Sequence, residues 1–393
     1  MFDYKKTYIF PFRYEIPNYS SVYLKSKLML NARIKYLKRW LYRFAKGQKP
    51  LEIFNITNKH KKILWINISA PSLGDSLMDL SSRILLLDKE IDLLTDKKNA
   101  DLYQNDVFFG NVFTSEDQIN NNYELVIIDS YSTRSIKLKT QIAPSAQYVG
   151  LYGFYNGPEV NRVLFSFHQM NNLTGYKYNE IEINYKAKSS LSISNKDISI
   201  IQSLKLPKNF IAIVIGGEWD YRTYNYWDKV IEAIISIEKN VKFVLIGSDN
   251  AKETEKKILE KFPKSYLQSY VAKFTFNQTA QIISYSKLLL CCDGGLMHAA
   301  ISTNKTIVPL FARLNPEMQL TKSCNAFPLT DALDVNNIKV KMIHTWETSQ
   351  GSFPPSWVQK QIKNIARWPI KVWDATIDLE AYTREVVKKE IGR

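Results

Sequence analysis

Short apolar runs alternate with amphipathic stretches along most of this chain. "KKILWINIS" (Lys61 to Ser69) reads as a buried strand, and "LGDSLMDLSSRILLLDK" after it as a helix. "EIDLLTD" and "YELVIIDS" are further apolar runs that end in polar turns. After Leu206 the pattern repeats. Strand "FIAIVIGG", helix "YWDKVIEAIISIEK", strand "KFVLIGS" and helix "AKETEKKILEKF" come first. Helix "FNQTAQIISYS", strand "KLLLCCD", helix "GLMHAAIST" and strand "KTIVPLFA" follow. Strands that alternate with helices predict parallel sheets of the doubly wound type. The stretch from about Asn156 to Lys205 is more polar and irregular, and it separates two such runs. The pattern therefore predicts an α/β chain of two Rossmann-like domains, over 63–200 and 201–365, facing each other across a cleft. An extension (1–62) precedes them and a segment ending in a helix (366–393) follows.

The extension changes the picture through its charge. The chain carries a net charge of +15. Its first 62 residues hold 15 Lys and Arg against Asp3, Glu15 and Glu52, so nearly all of the excess is N-terminal. Within "LNARIKYLKRWLYRFAKG", Leu30, Ile34, Leu37, Leu41 and Phe44 fall at helical spacing, with Trp40 beside them. Arg33, Lys35, Lys38, Arg39, Arg43 and Lys46 fill most of the other faces. Such a basic amphipathic helix suits an anionic membrane surface, with Arg33, Lys38, Arg39 and Arg43 as its contacts. The plainer alternative is a helix that lays its apolar stripe on the domain core.

Composition narrows the class. The chain is long enough for two cores and rich in apolar residues, hence globular. No apolar run approaches the roughly 20 residues that span a bilayer. The start, "MFDYKKTYIFPFRYEIP", lacks an apolar h-region, so no secretory signal is expected. Three cysteines, Cys291, Cys292 and Cys324, give neither a disulfide framework nor a metal pair, which points to a reducing cytoplasm. His60, His168 and His344 have no partners at metal-ligand spacing and read as surface or packing residues. Nucleic-acid binding is disfavoured, because most of the net charge lies in one terminal segment and no RNA- or DNA-binding signature is present.

In doubly wound sheets, ligands sit outside the carboxyl ends of the strands. Three loops fall there: Ser69 to Asp75, Gly216 to Arg222, and Asp293 to His298. None is a dinucleotide fingerprint or a P-loop. In the third, "DGGLMH", Gly294 and Gly295 let a ligand approach the backbone. The helix that opens there offers free N–H groups and a positive dipole end to a pyrophosphate. Asp293 is placed to cap that helix. Alone, the stretch also reads as a simple strand-to-helix turn.

"SLGDSL" (Ser72 to Leu77) and "DGGLMH" (Asp293 to His298), with "IAIVIGGEWDYRTYNYWDKVIEAI" between them, resemble the bacterial heptosyltransferases of glycosyltransferase family 9. Arg222 and Tyr224 stand at the Lys and Trp positions of that pattern, and Gly294 stands where a Thr is usual. The resemblance spans roughly Ile63 to Ala312. It implies a GT-B fold, with the acceptor on the N-terminal domain, the nucleotide-sugar on the C-terminal one, and a terminal helix returning to the first domain. It also implies inverting, metal-independent transfer with no cofactor. The donor would be an ADP-linked heptose and the acceptor a lipid-linked saccharide of the lipopolysaccharide core. The setting would be cytoplasmic, peripheral to the inner face of the inner membrane.

The residues fit that chemistry. An inverting transfer needs a base for the acceptor proton, and Asp75 is the candidate, with Asp79 and Asp129 as substitutes. Ser72 and Gly74 complete its loop, although Ser72-x-x-Asp75 also reads as a capping box. Gly216, Gly217, Arg222, Asp293, Gly294, Gly295, Leu296 and His298 are the expected donor site, where amides and a guanidinium meet the charge of the leaving diphosphate. Two other functions stay open here: the same fold using another nucleotide-sugar donor, and a GT-B-type nucleotide-sugar epimerase.

Overall fold

The computed structural model describes residues 28–330, apart from 69, 121, 155–160, 218–222, 225–226, 238, 312–315, 317–318 and 327–328. Arg222, His344 and the expected terminal helix of 366–393 lie outside the described residues. The chain divides into two compact units. Residues up to Ser192, with Thr321–Ser323, belong to the first; Ile193–Leu320 and the stretch resuming at Cys324 belong to the second.

The described part of the first unit begins with helix α1 (Leu28–Ala45). It continues with β1 (Lys62–Asn67), α2 (Leu73–Asp79), β2 (Glu90–Thr95), α3 (Lys97–Tyr103), β3 (Val112–Phe113) and β4 (Leu125–Ser130). Helix α4 (Thr133–Ile142), β5 (Gln147–Gly153), α5 (Arg162–Leu173) and α6 (Glu180–Lys186) complete it. The five strands are parallel, in the order β3-β2-β1-β4-β5. Strand β1 is buried from Ile63 to Asn67, as an apolar run covered on both faces must be.

The second unit holds α7 (Asn195–Gln202), β6 (Ile211–Val214), α8 (Trp227–Ile237), β7 (Phe243–Ile246), α9 (Lys252–Lys261) and β8 (Leu267–Ser269). Helix α10 (Phe276–Tyr285), β9 (Leu288–Cys292), α11 (Gly295–Ser302), β10 (Ile307–Phe311) and β11 (Leu329–Thr330) follow. Its six parallel strands run β11-β10-β9-β6-β7-β8. Ile211, Ile213 and Ile215 enter one core layer, and Ala212 and Val214 the other, because successive side chains of a strand point to opposite faces. Tyr224 and Trp227 meet edge to face in the first of these layers, so both pack as core.

Three expectations change. The irregular stretch between the domains contains α5, α6 and α7. Helix α5 is hidden in the sequence because its inward face mixes Val163, Phe165 and Phe167 with buried Ser166, His168 and Asn171. Helix α2 ends at Asp79 rather than running on; Ser81–Leu86 form a tighter 3-10 segment. Arg83 holds that break, fully buried, donating to the Leu80 carbonyl and forming an ion pair with Asp106.

The third change is α1. Its apolar stripe does not lie on the core: Ile34, Leu37, Leu41 and Phe44 are 56%, 39%, 49% and 59% exposed. Arg43, expected at a membrane surface, is 4% exposed and turned inward. It donates to Glu52 and lies over the rings of Tyr131 and Phe154. Tyr36 packs on Phe154 from the same side. Arg39 is half-buried and Lys38 exposed, while for Arg33 only its place in the helix is described.

Candidate active site

Both sheets place strand 1 of the unit between strands that run off in opposite directions along the chain. In the first unit this switch point lies between β1 and β4, and in the second between β6 and β9. Ligands of doubly wound sheets bind at such points, beyond the carboxyl ends. The described residues of the loops after β1, β6 and β9 singled out in the sequence lie there. Two depressions of 390 and 550 Å³ lie on the first unit near Lys62, Glu90 and Gly110, and near His60, Tyr123 and Gln147. They are at the amino ends of the strands, the wrong end for this chemistry.

At the first switch point the polar groups are connected. Ser72 caps α2: its Oγ accepts from the Asp75 N–H at 3.2 Å and donates to Asp75 Oδ2 at 2.6 Å. The Asp75 carboxylate is thus not spent on reciprocal capping of the Ser72 amide. Gly74 is buried beside it. One turn on, Asp79 accepts from Arg162 Nε and Nη2 at 2.8 and 2.5 Å, and from the Tyr152 hydroxyl at 2.7 Å. The same guanidinium stands 3.4 Å from Asp75 Oδ1. Asn67, at the end of β1, donates to Asp129 Oδ1 at 3.0 Å and accepts from Ser76 at 3.2 Å. Asp129 Oδ2 is buried without a hydrogen-bond partner. Burial, and then the charge of Asp79, push the Asp129 carboxyl up to about 8.

Exposure sorts the three carboxylates. The Asp75 side chain is 22% exposed, against 2% for that of Asp79. Asp129 is buried. Of the three, Asp75 alone is partly exposed. Arg162 and Tyr152 escaped the sequence reading. Arg162 opens a helix that the hydropathy pattern does not show, and the sole signal for it is Asn161, which caps that helix.

At the second switch point Gly294, the residue after Asp293, occupies the N-cap position of α11 and has no side chain to cap with. A Cβ added at Gly294 would meet nothing within 4 Å, so the space above the first turn is open. Gly295 and Leu296 follow in that turn with their amides at the helix start. His298 lies inside: it is buried and its Nε2 is 3.0 Å from Gln319 Oε1. Gly216 owes its identity to packing, because a Cβ there would come within 2.8 Å of the Ala251 Cβ. The Asn250 side chain donates to the Gly217 carbonyl.

No curated protein matches the sequence closely enough to count as a relative. The family model of glycosyltransferase family 9 (heptosyltransferase) matches residues 155–337. That stretch includes the "DGGLMH" loop; "SLGDSL" lies before it. Among solved structures, the glycosyl transferase family 9 from Veillonella parvula DSM 2008 is similar, with a TM-score of 0.58 at 16% identity over 80% of this chain and 99% of that one. E. coli ADP-heptose lps heptosyltransferase II gives 0.55 at 15% identity, over 74% and 100%. E. coli heptosyltransferase WaaC with ADP-2-deoxy-2-fluoro heptose gives 0.52 at 16% identity, over 77% and 99%. These likenesses establish the GT-B type of fold for the two α/β units. The chain thus resembles glycosyltransferase family 9 in the sequence of residues 155–337 and in the fold of its two units.

Proposed function

We propose that the protein is an inverting glycosyltransferase that moves heptose from ADP-heptose onto a lipid-linked saccharide of the lipopolysaccharide core type. The observation that carries this reading is the sorting of the carboxylates at the first switch point. Asp79 and Asp129 are buried, whereas the Asp75 side chain stays partly exposed. Asp75 takes the proton of the acceptor hydroxyl as that oxygen bonds to the anomeric carbon. The bond from that carbon to the diphosphate oxygen breaks, and its electron pair leaves with the nucleoside diphosphate. The first-turn amides at Gly294, Gly295 and Leu296, and the guanidinium of Arg222, meet the growing negative charge. No metal ion is needed in this scheme.

The ADP-linked donor is supported by the similarity to heptosyltransferases whose solved complexes contain ADP and a fluoro analogue of ADP-heptose. A lipid-linked acceptor is supported by α1, which turns its apolar stripe outward with Lys38 and Lys46 exposed beside it. Trp40 stacks on Phe44 at 5.5 Å along that face. An apolar stripe flanked by cations fits the headgroup boundary of an anionic leaflet, in keeping with a place at the inner face of the inner membrane. No described helix is long and apolar enough to cross a membrane.

The test is transfer from ADP-heptose in the Asp75→Asn variant. Ser72 caps α2, and an Asn amide oxygen can still accept from its hydroxyl, so the fold and donor binding should persist while turnover falls on the order of 10² to 10⁴. Unchanged turnover in a folded Asp75→Asn enzyme would remove Asp75 as the base.

A further inference from the structure

Asp75 and Asp79 lie four residues apart on α2, hence on one face of the helix, one turn above the other. Arg162 faces both from the first turn of α5. Its Nε and Nη2 bond Asp79, and Nη1 is left toward Asp75 at 3.4 Å, an ion-pair approach and not a full hydrogen bond. Tyr152 of β5 fills a further acceptor position of Asp79. Burial and the neighbouring Asp79 push the Tyr152 phenol up, so it serves as a donor. Among the described residues, the other charged or titratable groups around this corner include Asp129 on β4, Tyr103 and Lys98 on α3, and Arg134 on α4, which pairs with Asp96. Lys98 donates to the Pro71 carbonyl and Arg134 to that of Ile68. Neither of these bonds is to Asp75.

We infer that Arg162 is the positioning residue of the transfer: Asp79 and Tyr152 hold its guanidinium so that Nη1 steers the Asp75 carboxylate without locking it in an ion pair. The inference rests on the reading of Asp75 as the base. Its physical content is the charge balance through turnover. Before the reaction, two carboxylates share one cation. When Asp75 takes the acceptor proton, it becomes neutral and withdraws from the pair. A half-buried cation left unpaired at that moment would oppose the step. Asp79 removes that obstacle, because Arg162 keeps a bidentate partner in both protonation states. The fork geometry matters as much as the charge: a lysine could not bind Asp79 twice and still direct a third donor at Asp75.

The arrangement predicts two substitutions with opposite effects, readable without any ligand. The side-chain carboxyl resonance of Asp75, identified by its loss in Asp75→Asn, is followed by carbon-13 NMR against pH. Arg162→Gln removes a cation beside Asp75, so the midpoint of that titration should rise by about one pH unit. Asp79→Asn removes a neighbouring anion and frees Arg162 to pair fully with Asp75, so the midpoint should fall. Arg162→Lys keeps the charge and should leave the midpoint near that of the native protein, yet slow transfer from ADP-heptose about tenfold or more. Thermal melting verifies the fold of each variant, and Arg162→Lys serves in place of any that does not fold. Identical midpoints in the native protein and both charge-removing variants would overturn the inference. So would a shift of both in the same direction, or full transfer by Arg162→Lys. An active Asp75→Asn enzyme would instead sink the base assignment itself, which separates the two failures.

Discussion

Arg43 of α1 donates to Glu52 at 2.5 Å, beneath the rings of Tyr131 and Phe154, and this pair decides which way the helix faces. Glu52 also accepts the Tyr131 hydroxyl, and its neighbour Ile53 bonds the Tyr148 carbonyl of β5. The cation is therefore anchored to the edge of the first sheet. Once Arg43 points inward, helical geometry turns Leu37, Leu41 and Phe44 outward.

Removing Glu52 leaves Arg43 as a buried cation without its carboxylate. Glu52→Ala should lower unfolding free energy by about 3 kcal/mol, measured by urea titration. Arg43→Met, which removes the charge and keeps much of the packing, should cost less. A larger loss in Arg43→Met would mean that the ring contacts, and not the ion pair, hold the helix.

Membrane attachment should follow the stripe more than the single inward arginine. Replacing Leu37 and Leu41 together by Ser should weaken pelleting with vesicles of anionic lipid about tenfold or more, since each apolar side chain buried is worth about 1.5 kcal/mol or more. Lys38→Gln should weaken it less, by the contribution of about 1 kcal/mol expected of one surface cation. Equal binding to neutral vesicles would show that charge has no part in it.

Asp129 makes stability depend on pH. Its ordinary value in the unfolded chain is about 3.9, and burial beside Asp79 raises it to about 8 in the fold. The stability this group contributes is full below the unfolded value and is lost as pH climbs toward the folded one. Asp129→Asn keeps an acceptor for the Asn67 amide and removes the ionisable group. Urea midpoints at pH 5 and pH 8.5 should fall in the native protein and stay flatter in the variant. Parallel slopes in the two would show that Asp129 is already ionised in the fold.

Two glycines of the second unit should behave differently. Gly216→Ala drives a methyl group into Ala251 and should destabilise by about 1–3 kcal/mol. Gly294→Thr enters open space on an extended backbone, where any residue is tolerated. Its melting temperature should hold, and affinity for ADP, followed by calorimetry, should be equal or higher because a hydroxyl is added at the helix start. Weakened ADP binding in a fully stable Gly294→Thr protein would mean that the open space is needed by the ligand itself.

What the sequence alone determined is the part set by local periodicity and by glycine. Continuous apolar runs such as "ILWIN" and "LLLCC" specify β1 and β9, because strands of a parallel sheet are buried on both faces. The loops after β1, β6 and β9 were legible for the same reason: each follows such a run at its carboxyl end. Helix α1 was legible as amphipathic, but its direction was not. Which face turns inward depended on Glu52, Tyr131 and Phe154, and pattern alone could not weigh an ion pair under two rings against an apolar stripe. Arg162 was illegible too, since its helix carries His168, Asn171 and Ser166 on a buried face. Those polar groups find partners only once the chain is folded, as Ser166 does at the Asp79 carbonyl. The same holds for the three carboxylates. Sequence named Asp75 first, with Asp79 and Asp129 as substitutes; tertiary burial enclosed those two and left Asp75 partly exposed.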